Sequence, residues 1–472
     1  MKHFSHWNST TATSRRELLR RASVGFGSLA LASLLADDTK AGARNDLTVQ
    51  PPHFAPKAKR IIFLFMHGGP SQIDTFDYKP QLEKDDNKPV PFAKPRVVSA
   101  ATGNLLRSPF RFKQHGDSGA HVSEIFPRIA QHVDELTFVR SVHGSNSRHG
   151  AALLELHTGS DTFVRPSLGS WLNYGLGTEN QDLPGYVTIC PSLTHGGANN
   201  WTSAFLPAVY QGTPIGNAGT ESENARIPFI QGKTKTDLQR LELDLLGKMN
   251  RDRFKTTGPD SELESRIQSF ELAFRLQREA PLVQDISNES KHTIDAYGIS
   301  QKETKDFGLQ CLMARRFAER GVRFIQLSHS YKWDQHGNLK ADHAKNAKEV
   351  DQPISALLTD LRQRGLLEDT LVWWGGEFGR TPVSQGGRNG RDHNPHACTM
   401  WFCGAGMKPG IQYGETDEYG YYAVKDKVHF HDLHATILHL MGLDHQRLTY
   451  RYAGRDFRLT DIYGEVVHDI LA

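Results

Sequence analysis

The sequence predicts an α/β fold: a doubly wound, mostly parallel sheet with helices on both faces, carrying a cap or insertion. Three observations predict it. Short, uniformly apolar, β-rich runs recur along the chain, as strands covered on both faces should. Helical patterns of period 3.6 lie between several of these runs. A cluster of polar, ligand-type residues abuts each run, where open α/β sheets place their sites, beyond the carboxyl ends of the strands.

Residues 1–43 read as a targeting segment. Ser14-Arg15-Arg16-Glu17-Leu18-Leu19-Arg20 precedes a mostly apolar run from Ala22 to Ala36 and the small-x-small site Ala41-Gly42-Ala43, the pattern of a bacterial twin-arginine export signal. The apolar run has about 15 residues, short of the ~20 that cross a bilayer, so no permanent membrane span is expected. The twin-arginine export machinery carries folded proteins, often with cofactor inserted, to the periplasm or beyond, which favours a metalloprotein.

A polar linker over about residues 44–59 leads into the main domain, expected over 60–465. Its first strand is the run Arg60 to Met66, bounded by Gly68-Gly69-Pro70. Further strands are expected at Leu136 to Val139, Val322 to Leu327, Thr370 to Trp374 and Thr399 to Phe402. Val350, Ile354, Leu357, Leu358 and Leu361 mark one face of a helix, and Lys305 to Arg320 reads as another amphipathic helix. About 191–300 lacks this rhythm. It holds a Gly/Asn/Ser-rich loop and a long helix with Leu263, Ile267, Phe270 and Phe274 on one face, and is expected to be an insertion or cap over the site.

The chain has 472 residues, 38% of them apolar, enough for a large core and too few for a polytopic membrane protein. Lys plus Arg number 56 against 53 Asp plus Glu, and several positive charges fall in the targeting segment, so a nucleic-acid-binding face is not indicated. Four cysteines exclude a disulfide scaffold. Cys398 and Cys403 have an odd spacing along a strand, which points them to opposite faces. The unusual count is 23 histidines, ten of them between His329 and His445. Histidine is the commonest metal ligand and the near-neutral acid or base.

The polar clusters sharpen that count. His67 and Asp74 follow the first run, Ser145, Asn146 and His149 the second, and His329, Asp334 and His336 the third. Glu377 and Arg380 follow the fourth, and Asp392, His393 and His396 precede the fifth. Asp334-Gln335-His336 and Asp392-His393 are the sharpest ligand candidates, each joining a carboxylate to an imidazole. They point to a divalent metal, Zn, Mn, Fe or Ca, with the nitrogen donors favouring the first three over Ca²⁺ and Mg²⁺. Glu377 offers another carboxylate, and Arg380 a fork for an anionic ester oxygen. His149 opens a helix whose free N–H groups suit an anion. Gly116-Asp117-Ser118-Gly119-Ala120 imitates a serine-protease loop without the all-β context. Asp432 fits a helix cap, with His431 and His434 sharing the face of that helix.

Met66-His67-Gly68-Gly69-Pro70-Ser71 with Asp74-Thr75-Phe76-Asp77, Gly376-Glu377-Phe378-Gly379-Arg380-Thr381-Pro382, Gly390-Arg391-Asp392-His393 and Gly404-Ala405-Gly406-Met407-Lys408-Pro409-Gly410 resemble the exported sulfatase-like proteins of domain-of-unknown-function family fifteen-oh-one, themselves similar to the alkaline phosphatase superfamily. The resemblance implies a metal site on an α/β sheet, with His67 where that superfamily has an Asp ligand and Asp334 and His336 at its Asp and His ligands. It puts Glu377-Phe378 at an Asp-His dyad, His393 at the last His ligand, and His149 where the nucleophile stands. None of the four Cys lies in a formylglycine sequence at that place. The implied site is mononuclear or altered, of His67, Asp334, His336, His393 and Glu377, with Asp74, Ser145, Asn146, His329, Asp392 and His396 around it. The implied function is metal-dependent hydrolysis of sulfate or phosphate esters, as on sulfated polysaccharides, with His149 as nucleophile or base and Arg380 on the anion. The alternative is a non-catalytic relative that binds anionic glycans or an envelope partner.

Overall fold

The computed structural model describes residues 47–93, 101–228, 230, 235–258, 260–385, 387 and 389–472; the expected export signal lies outside them. The elements that build the site run, in chain order, β1 (Arg60–Phe65), β2 (Leu136–His143), α1 (His149–Thr158), α2 (Leu168–Leu176), β3 (Tyr186–Ile189) and β4 (Thr213–Ile215), then α3 (Thr236–Thr257), α4 (Ser261–Gln284), α5 (Lys305–Glu319), β5 (Phe324–Ser328) and α6 (Leu339–Gln363), then β6 (Thr370–Gly375), β7 (Cys398–Cys403), β8 (Ile411–Tyr413), β9 (Val428–His429) and α7 (Phe430–Leu440).

The strands form one sheet in the order β8-β2-β7-β6-β1-β5-β3-β4, with β9 beside β2. β7 is antiparallel to both neighbours; the other pairings are parallel. β1 shows why the sheet is covered twice. Ile62 and Leu64 enter one apolar core with side chains of α5 and α6, while Ile61, Phe63 and Phe65 enter another with α1, α2 and α7, as the period of two along a strand demands. Val350, Ile354, Leu357, Leu358 and Leu361 are all fully buried, so the expected face of α6 is the one that packs. Cys398 and Cys403 belong to the two different cores, and all four cysteines are free thiols.

The reversed direction of β7 explains an asymmetry in the sequence. Its amino end lies at the sheet edge where its neighbours have their carboxyl ends. The cluster Asp392-His393 therefore precedes its strand, whereas the other clusters follow theirs.

Three features differ from expectation. β3 and β4 have no counterpart among the apolar runs, because Tyr186-Val187-Thr188-Ile189 is short and Thr213-Pro214-Ile215 is an edge strand with a proline. The region read as an insertion thus extends the sheet at β4. The inward stripe of α4 is Leu272, Leu276, Ala280 and Val283, with Phe270 exposed, because the helix lies against α5 and residues 208–210. The segment read as a linker is docked from Leu47 onward: Gln50 N donates to Leu176 O, and Lys57 N and Ala58 N to Leu440 O.

The Gly116–Ala120 decoy is a hairpin turn whose Asp117 and Ser118 N–H groups are held by Asp134. His431 and His434 of α7 donate to the carbonyls of Gly159 and Leu156, satisfying the carboxyl end of α1. Asp432 caps α7. No described helix is long and apolar enough to cross a membrane.

Candidate metal centre

His67 lies two residues beyond the end of β1, and the next residue, Gly68, has φ +117°. A Cβ there would sit 2.7 Å from Asp334 N and 2.8 Å from Trp333 N, so glycine lets the β1 loop touch the loop after β5. That contact brings His67 and Asp334 into one pocket. β6 delivers Glu377 beneath them, the start of α1 delivers His149, and the segment leading into β7 delivers His393.

The carboxylate of Asp334 is the hub. Its Oδ1 accepts from Arg380 Nη2 at 2.6 Å and lies 3.0 Å from His336 Nε2 and 3.1 Å from His393 Nε2. Its Oδ2 accepts from the Tyr331 hydroxyl at 3.1 Å and lies 3.4 Å from His149 Nε2. The far nitrogens of the three rings are engaged as donors: His149 Nδ1 to Glu377 Oε1 at 2.7 Å, His393 Nδ1 to Ser147 O at 2.7 Å, and His336 Nδ1 to Gln385 Oε1 at 2.5 Å. This leaves three Nε2 atoms facing an ionised carboxylate, each able to donate a proton to it or, once that proton is lost, to offer a lone pair to a metal. His336 Nε2 and His393 Nε2 are only 3.0 Å apart. Electron-rich atoms converge in this way around a cation, and outer hydrogen bonds that fix each ring are how ligating histidines are held.

A second group adjoins the first through His149. The rings of His67 and His195 stand 6.2 and 4.8 Å from that of His149, and candidate ligand atoms of all three lie within 4.8 Å of one another. Both ring nitrogens of His67, His149 Nε2 and His195 Nδ1 are buried without a hydrogen-bond partner. Buried polar atoms are rarely left so.

The electrostatics agree. Burial opposes charge on His149, yet its contacts with Asp334 and Glu377 prevail and push it up to about 9. Burial likewise opposes ionisation of Glu377 and Asp334, but their histidine partners hold Glu377 at about 2 and Asp334 well below the usual carboxylate range. Burial pushes His67 down to about 4 and lowers His195 and His393. The Asp334 contact also raises His336, so without a cation His149 and His336 hold protons that a bound metal would displace, while His67, His195 and His393 are neutral. Two ionised carboxylates with these imidazoles are the donor chemistry that Zn²⁺, Mn²⁺ or Fe²⁺ takes, and too rich in nitrogen for Ca²⁺ or Mg²⁺.

Of the expected residues, the fold gathers His67, His149, Asp334, His336, Glu377, Asp392 and His393. Glu377 stands outside the convergence point, since its oxygens accept from Gly68 N and His149. Asp392 accepts from His393 N and lies 3.8 Å from His336 Nδ1.

Arg380 is a correction. It is buried, and its guanidinium donates to the carbonyls of Gly68, Gly69, Trp333 and Arg391 as well as to Asp334, so it is enclosed by protein acceptors and not presented to an ester oxygen. Others also lie elsewhere. Asp74 forms a buried ion pair with Arg391 at 2.7 Å. His329 is fixed between Glu349 and Trp333 Nε1. His396 packs on Tyr421 and Tyr422. Ser145 and Asn146 bond to Glu155 and Asp161.

His195 and Tyr331 belong to the site and escape a count of motifs. His195 follows β3, the strand too short to register as an apolar run. Tyr331 lies between His329 and Asp334, where a tyrosine draws no notice beside histidine and carboxylate. Both hold left-handed backbone angles, φ 51° and 49°, a strain found at sites where geometry is imposed.

A family model described as "Protein of unknown function (DUF1501)" matches residues 58–471. No curated protein matches the sequence. Among solved structures, the chain is similar to LtaP, a lipoteichoic acid synthase from Listeria monocytogenes (10% identity, 89% of this chain and 80% of that one, TM-score 0.36). It is similar to the alkaline phosphatase of the Antarctic bacterium TAB5 (12% identity, 83% and 99%, TM-score 0.36). It is also similar to the sulfatase PsFucS1 from Pseudoalteromonas sp. (13% identity, 88% and 71%, TM-score 0.35).

Proposed function

We propose that this chain, which belongs to the DUF1501 family, is a metal-dependent hydrolase of sulfate or phosphate esters, exported by the twin-arginine route. One observation carries the reading: three imidazole Nε2 atoms, of His149, His336 and His393, converge within 3.0 to 3.4 Å on the carboxylate of Asp334. A divalent cation bound there would polarise an ester oxygen and lower the pKa of a nearby water.

The residues of the chain supply orientation. Glu377, Ser147 O and Gln385 fix the three rings, Arg380 fixes Asp334, and His67 and His195 extend the nitrogen donors on the far side of His149. Tyr331, 44% exposed, lies over His67 and His195 with its hydroxyl on Asp334, so its phenol is placed at the mouth to meet an incoming ester. We assign His149 to the metal rather than to nucleophilic attack, because its Nδ1 is committed to Glu377 and its Nε2 faces Asp334. Water is then the nucleophile.

That same commitment of His149 favours a second reading, in which the site binds an anionic ester without turning it over. Elemental analysis of the mature protein purified without added metal, followed by a screen of sulfate and phosphate mono- and diesters, separates the two. Absence of stoichiometric metal overturns the hydrolase. Metal without turnover of any ester favours the binding protein.

A further inference from the structure

A second cavity, of about 880 Å³, opens between the loop that follows α1 and residues 461–465. Phe163, Ile462 and Tyr463 line it and are 64, 71 and 58% exposed. Large apolar side chains clustered in the open mark a surface that something covers.

They are held open by the fold. Asp461 has φ 51°, a costly conformation outside glycine, and its carboxylate is tied to Arg165 at 2.8 Å and to Arg455. That bond joins the two loops and turns Ile462 and Tyr463 outward. The Tyr463 ring lies flat on His431, with centroids 5.1 Å apart and planes 9° apart. His431 is in turn fixed to Gly159 O. The result is a rigid aromatic platform with its outer face open.

The polar lining decides what fits. Glu155, Asp161, Asp432, Asp461 and Glu465 supply carboxylates, against Arg165, paired with Asp461, and the imidazoles of His429 and His431. Glu155, Asp161 and Asp432 already accept from Ser145 N, Asn146 Nδ2 and His429 N respectively, which leaves their remaining lone pairs and the exposed Glu465 to a ligand. A sulfate or phosphate group would meet net repulsion here. Carboxylate and amide acceptors beside flat apolar faces suit a polyhydroxylated ring instead, its hydroxyls donating and its C–H faces packing on the platform.

We infer that this cavity binds uncharged sugar residues. Ser145 lines it, and two residues further on Ser147 O accepts from His393 Nδ1; that length of backbone spans about 7 Å at most. The cavity wall and the metal centre are therefore parts of one loop. The substrate class that follows is a mainly neutral glycan carrying a sparse ester, not a densely charged polymer. This assignment as a substrate subsite rests on the hydrolase reading; sugar binding itself does not.

The test is calorimetric binding of neutral hexasaccharides of glucose, galactose and N-acetylglucosamine, and of densely sulfated dextran, to the mature protein. Wild type, Phe163→Ala, Tyr463→Ala and Tyr463→Phe are compared, with metal content measured in each. The expected result is binding of at least one neutral hexasaccharide, weakened by roughly tenfold or more in both alanine variants and retained in Tyr463→Phe, with metal content unchanged. Failure of every neutral sugar to bind, equal binding by the alanine variants, or preference of the cavity for sulfated dextran overturns the inference. Sugar binding that depends on Tyr463 in a protein without metal would leave the cavity assignment standing and remove the hydrolase.

Discussion

Glu377 Oε1 accepts the Nδ1 proton of His149 at 2.7 Å while the same carboxylate takes the N–H of Gly68. One buried acid thus fixes both the tautomer of a ring on α1 and the position of the β1 loop. Its effect is to turn His149 Nε2 toward Asp334.

Glu377→Gln keeps the shape and removes the charge that holds the Nδ1 proton. Metal affinity should fall by about 10- to 100-fold, the usual cost of losing such an outer carboxylate, with the fold intact. Chelator competition measures it; unchanged affinity would place Glu377 outside the metal's support.

Arg380→Ala should destabilise the protein by about 3–5 kcal/mol, because it leaves Asp334 and several carbonyls buried without their donor. The loss is read from denaturant midpoints. A residue serving only to hold an ester oxygen would instead raise KM and leave stability unchanged.

Gly68→Ala forces a Cβ against Asp334 N and Trp333 N at a positive φ. Strain of about 1–3 kcal/mol should move the Asp334 loop. Stoichiometric metal should be lost at a temperature where the variant is still folded by circular dichroism. Full metal content would mean that the two loops are not mutually fixed.

Acid should weaken the fold below about pH 6.5. Burial holds His343 and His434 down to about 3: His343 Nε2 accepts from Ser71 N, and His434 Nε2 donates to Leu156 O. Unfolding releases both to titrate near 6.5, so the unfolded chain binds more protons. Stability is full above pH 6.5 and declines as pH falls toward 3, by about 1.4 kcal/mol per pH unit for each ring. His434→Gln should reduce that slope in denaturation midpoints measured between pH 7 and 5; an unchanged slope would mean that the ring is charged in the native state.

Much of this was legible in order along the chain. β1, β2, β5, β6 and β7 each carry a short, mainly apolar run because a doubly covered strand has little solvent face to mark with polar residues. Each run is bounded by the residues that a sheet edge gathers, so His67, His149, Asp334, His336, Glu377 and His393 stood out. His195 did not, since its strand contributes four residues to the edge half of the sheet and carries too weak a pattern to announce a loop.

By itself, the sequence determined the layer architecture and the set of side chains at one edge of the sheet, because hydrophobic period and strand ends are local properties. Only the tertiary structure decided which atoms of those side chains face one another. Arg380 shows the difference: its chemistry suits an anion, but five main-chain and side-chain acceptors surround it once the β1, β5 and β6 loops meet. The roles of Glu377 beneath His149 and of Asp334 among three rings were decided in the same way, by contacts between residues hundreds of positions apart that no local pattern records.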